Sequence, residues 1–148
     1  MEVWPGLRMK FISVPHRSEF TDTVGISIND KLLYIPDIDS WATWQAADEV
    51  VASHKVCLLD ATFFDNNELP GRDLSTISHP FVVDTLKRFG HLLSSTQEEE
   101  EEKKKERHRI ILTHLNHSNP LTDSSTPAYK VVEDAGFEVA SDMMCIYL

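Results

Sequence analysis

The chain has 148 residues, 41% of them hydrophobic and 26% charged, which fits one globular domain long enough to bury a core. Its 24 acidic against 14 basic residues leave a formal net charge of −10, which argues against nucleic acid as a partner, because phosphate-backbone binding needs a basic face. No apolar run approaches the ~20 residues of a membrane span, and MEVWPGLRMKF at the start lacks the apolar centre of a signal peptide. Cys57 and Cys145 each lie in an apolar run, so both are expected as reduced, buried thiols of a cytoplasmic protein.

In chain order, residues 9–14 read as a strand stopped by Pro15. Residues 23–28 and 31–35 flank Asn29-Asp30, a hairpin signal, and Pro36 ends the second strand with Asp37 just beyond it. Ser40 is placed to cap a helix through WATWQAADEVVASH, with Trp41 and Trp44 on its packing side. KVCLLD, residues 55–60, has the continuous apolar pattern of a strand buried on both faces. The loop ATFFDNNELPGRDLSTISH that follows has the length and turn content of a functional loop. Pro80 then opens a helix, FVVDTLKRFGHLL, at its favoured first position. STQEEEEEKKKERHR reads as a solvated, low-complexity insertion at about residues 95–108. Residues 109–113 form another strand, Ser125 before Thr126-Pro127 opens a helix that Gly136 stops, and FEVA and MMCIYL close the chain as strands. This alternation predicts an α/β class with a mixed sheet.

Three chemistry-bearing residues share one address. His16 follows the first strand, Asp37 the strand ending at Ile35, and His114 the strand RIILT. In open α/β sheets functional groups gather beyond the carboxyl ends of strands, and imidazole and carboxylate suit zinc or another first-row metal. The same residues are also ordinary at the start of surface loops. His54 fits a helix C-terminus, while His91 and His108 are expected to face solvent. Asp60 either supports a ligand or forms a turn, and Asp39 either supports Asp37 or caps the next helix.

VPHRSEFTDTVGISI, LLYIPDIDSW, LLDATFFDNNELPGRDLSTISHPFV, ILTHLNHSNPLTD and AGFEVASDMMCIYL together resemble the C-terminal half of a metallo-β-lactamase-fold metallohydrolase of the pyrroloquinoline quinone (PQQ) biosynthesis protein B group. The resemblance implies half of an αββα sandwich over residues 1–148, a mixed sheet with flanking helices. It implies His16, Asp37 and His114 as metal ligands, with zinc, iron or manganese as the metal, and His79 as a proton-donating group. His117 has no ligand counterpart in the group. The His-x-His-x-Asp-His loop that supplies further ligands there does not occur in these 148 residues. The implied site is therefore incomplete in this segment. Two functions follow as expectations: a metal-dependent hydrolase acting on an unidentified small molecule, and a non-catalytic interaction protein. The second would pair its exposed sheet with another copy or a partner chain.

Overall fold

A computed structural model describes residues 1–17, 19, 21–73, 77–93 and 108–148. Residues 94–107, which hold most of the charged insertion, lie outside it. Seven strands lie side by side in chain order: β1 (Glu2–Trp4), β2 (Leu7–Val14), β3 (Thr23–Ile28), β4 (Leu32–Ile35), β5 (Val56–Asp60), β6 (Arg109–Thr113) and β7 (Glu138–Val139). Neighbours from β1 to β4 are antiparallel, and neighbours from β4 to β7 are parallel. Connection length decides this. Asn29 and Asp30 both take left-handed φ values, 52° and 54°, the geometry of a tight hairpin turn. Each parallel pair instead needs a crossover, and the three crossovers carry α1 (Ala47–Ala52), α2 (Val82–Phe89) and α3 (Pro127–Asp134).

The pleat sorts the sheet into two unlike faces. Leu33, Ile35, Cys57, Leu59, Ile110 and Leu112 are fully buried on one face, beneath Trp41, Trp44, Val51, Val82, Phe89 and Val132. Burial of each large side chain there contributes about 1.5–3 kcal/mol. On the other face Leu32, Val56 and Ile111 are covered by Met144 and Ile146 of the terminal segment. Farther along that face, Phe11 is 58% and Val24 42% exposed. The mixed α/β sheet is thus as the sequence predicts, with its helices on one face.

Several local expectations need correction. The first helix is short: residues 41–46 form turns, and Ser40 Oγ accepts the Ala42 N–H instead of capping a long helix. Those turns bury both tryptophans, with Trp41 Nε1–H donating to Thr85 Oγ1 at 2.8 Å and its ring meeting Phe89 edge-on. α2 begins at Val82, not Pro80, because Phe63 and Phe81 form a parallel bridge that holds Phe81 extended. Arg88 then clamps Asp48 through two bonds of 2.7 and 2.8 Å and so ties α2 to the start of α1. MMCIYL is not a strand. The chain leaves the ladder after Ala140, turns at residues 141–144 and leaves Cys145 exposed, so only Cys57 is a buried thiol. β1 carries no period long enough to read from the sequence. α3 lies where expected and ends at Gly136, at φ +82°, but Thr126 and not Ser125 opens it, its Oγ1 accepting the Tyr129 N–H. Among the described residues no helix is long and apolar enough to cross a membrane.

Candidate metal centre

Strand parity brings the candidate residues together. β2 is antiparallel to β3, and β3 to β4, so β2 runs the same way as β4, β5 and β6. The carboxyl ends of these four strands lie on one edge of the sheet. His16 sits two residues past β2, Asp37 two past β4, Thr62 two past β5 and His114 one past β6. His79 arrives from the long loop after β5, just ahead of α2. Arg17, His79 and His114 all adopt positive φ, at 43°, 87° and 60°. Non-glycine residues hold such conformations at about 1–3 kcal/mol each, so the surrounding structure imposes them.

The three imidazoles form a row. His79 lies between the others, with ring centroids 5.2 Å from His16 and 5.7 Å from His114. Two sets of groups converge here: His16, Asp37 and His79, and Asp60, His79 and His114, each with its ligand atoms within 4.8 Å of one another. His114 Nε2 lies 3.9 Å from Asp37 Oδ1. His16 Nδ1 lies 3.1 Å from Asp39 Oδ1, at ion-pair distance but outside hydrogen-bond angles. Both of these buried atoms lack a hydrogen-bond partner. Asp39 Oδ2 does accept the Arg17 N–H at 3.0 Å, so Asp39 holds the turn that carries His16 and does not cap a helix.

Asp60 lies beneath the row and is fully buried. One oxygen accepts the Ile38 N–H and faces His79 Nδ1 at 2.6 Å; the other accepts the Thr62 N–H and hydroxyl. Burial alone would lower the His79 pKa, but the Asp60 hydrogen bond and the charges of Asp60 and Asp37 outweigh it and raise the pKa above its ordinary value. A cavity of about 1040 Å³ opens beside the row, lined by Asp39, Trp41, His79, Phe81, Asp84 and Arg88.

The donor set fits a divalent metal. Imidazole nitrogens and a carboxylate converge in each of two sets that share His79, and two buried polar atoms there, His16 Nδ1 and Asp39 Oδ1, make no hydrogen bond. The structure thus brings His16, Asp37, His79 and His114 to one place. His117 is exposed, and neither convergent set includes it. Thr62 was not singled out from the sequence, although Asp-x-Thr at a strand end is the pattern of an aspartate bonding the backbone two residues on.

No family model matches the chain. It is 31% identical over 150 residues to coenzyme PQQ synthesis protein B of Methylococcus capsulatus, covering 90% of this chain and 44% of that one. Against the protein of the same description from Gluconobacter oxydans it is 32% identical over 132 residues, covering 86% and 40%. The chain is a homologue of coenzyme PQQ synthesis protein B. It spans less than half the length of these synthesis protein B relatives. The crystal structure of Zn²⁺-bound PqqB from Methylobacterium extorquens superposes on the whole chain with a TM-score of 0.63 at 21% identity, covering 52% of that structure. Over its described length the chain therefore has the fold of about half of PqqB, a metallo-β-lactamase fold.

Proposed function

We propose that this chain carries one half of a metal-dependent, hydrolase-like centre of the kind found in coenzyme PQQ synthesis protein B. His16, Asp37 and His114 are its metal ligands, and His79 is its proton-transfer group. The observation that supports this most is the gathering of all four at one sheet edge from four separate segments of the chain. Zinc is the occupant favoured by analogy with the zinc-bound relative, and iron and manganese take the same donors. A bound divalent ion supplies Lewis acidity at this edge.

The protein groups divide the remaining work. Asp39 steadies the turn that carries His16, Asp60 holds His79 on its Nδ1 side, and His79 Nε2 is left to exchange a proton with a small-molecule substrate in the adjoining cavity. Against the effect of burial, the Asp60 hydrogen bond raises the His79 pKa above its ordinary value and so favours the protonated ring. Further ligands of the His-x-His-x-Asp-His type come from another segment or a partner chain seated on the uncovered face at Phe11 and Val24. That exposed face also favours a second reading, in which the chain acts in the cytoplasm as an interaction module without chemistry of its own. Elemental analysis after dialysis against zinc separates the two. The metal reading expects one zinc per chain, lost in Asp37→Ala and in His114→Ala; metal-free wild-type protein overturns it.

A further inference from the structure

Asp60 is tied to two histidines, not one. The fully buried carboxylate receives two backbone N–H groups, from Ile38 at 3.1 Å and Thr62 at 3.0 Å, one on each oxygen. These amides can only donate, so both oxygens act as acceptors. The Thr62 hydroxyl donates its single proton to Asp60 Oδ1 at 2.7 Å. Its oxygen can therefore only accept from His114 Nδ1, which lies 3.1 Å away. On the other oxygen, His79 Nδ1 lies 2.6 Å from Asp60 Oδ2 and donates to it. One carboxylate thus fixes the Nδ1 proton of His79 directly and that of His114 through a hydroxyl relay.

We infer that Asp60 and Thr62 are positioning residues that set both His79 and His114 in the Nδ1–H tautomer, leaving the Nε2 lone pair of each free at the sheet edge. Both Asp60 oxygens are taken up by protein donors and the Thr62 hydroxyl is spent on the relay, so the two residues act through the histidines. Each acts by deciding which nitrogen carries the proton, and so whether an unprotonated nitrogen is available for a ligand or a proton acceptor. Carboxylates bonded to ligating histidines raise their basicity and fix their orientation, and losing one typically costs 10–100-fold in metal affinity. The consequence for zinc rests on the metal-centre reading; the tautomers themselves do not.

The two arms separate by mutation. Thr62→Val keeps the shape of the side chain and removes the relay to His114 alone. Asp60→Asn presents an amide donor in place of an acceptor and disturbs both arms. Long-range ¹⁵N–¹H spectra of the histidine rings in the metal-free chain, at alkaline pH, report each tautomer. In wild type His79 and His114 both show Nδ1–H. In Thr62→Val the His114 pattern changes and His79 keeps its own; in Asp60→Asn both change. A zinc titration of the same samples expects a 10–100-fold weaker site in Asp60→Asn. Nδ1–H retained on His114 in Thr62→Val overturns the inference even if Asp60→Asn fails to fold. Wild-type tautomers as stated but with no zinc bound sink the metal-centre reading alone.

Discussion

Two histidine-bearing regions sit at opposite edges of the sheet and use the same side chain in opposite ways. At the carboxyl edge, His16, His79 and His114 stand in a row above carboxylates, with His114 45% exposed on its side chain. At the amino edge, His54 is buried and its ring is fully engaged within the protein. Its Nδ1 lies 2.8 Å from the Val50 carbonyl, to which it can only donate, and its Nε2 lies 2.7 Å from Ser27 Oγ, from which it accepts. His108, expected to be exposed, is half-buried near Cys57, and burial pushes its pKa down. The Cys57 thiol is pushed up to about 12 by burial. A histidine is available for chemistry where a nitrogen is left over after packing, and only the carboxyl edge leaves several.

Mutations break or sharpen this contrast. The largest effect is expected at Asp60, where alanine strands two backbone amides and His79. Urea unfolding should show a loss of about 3–5 kcal/mol, and a loss below 1 kcal/mol would contradict the hub described above. At the other edge, Ser27→Ala removes the partner of a buried imidazole nitrogen and should cost about 1–3 kcal/mol while zinc affinity stays unchanged. His16→Ala should do the reverse, weakening zinc binding at least tenfold with little change in unfolding free energy. Because the folded pKa of His79 lies above its ordinary 6.5, the Asp60 contact contributes its full stability to the metal-free chain below pH 6.5. That contribution is lost as pH rises through the raised value. Zinc affinity follows the opposite course, falling as His79 gains its proton and repels the cation. His79→Gln should remove the stability trend and weaken the zinc trend, which persists because His16 and His114 must also be unprotonated to bind the metal. The smallest effect belongs to Arg109 and Glu138, bonded at 2.7 Å twice but each about a third exposed, where Arg109→Ala should cost under about 1 kcal/mol.

Strand ends were legible because their signals are local. Pro15 and Pro36 stop β2 and β4, the apolar run before Asp60 marks β5, and RIILT coincides with β6. Since four of these strands run the same way, the addresses of His16, Asp37 and His114 could be read along with them. Helix starts were less legible because tertiary contacts override them. Burial of Trp41 and Trp44 holds residues 41–46 in turns, and the bridge of Phe63 to Phe81 delays α2. The link from Asp60 to His79 and, through Thr62, to His114 joins residues 19 and 52 positions apart, and no local pattern reports such closures.

Calorimetric titration of zinc into the chain tests the central claim most directly, comparing His16→Ala and His114→Ala with His108→Ala. The account predicts one zinc per wild-type chain, a site lost or at least tenfold weakened in each carboxyl-edge variant, and wild-type binding in His108→Ala. Equal loss at both edges, or no zinc bound by the wild-type chain, would contradict it.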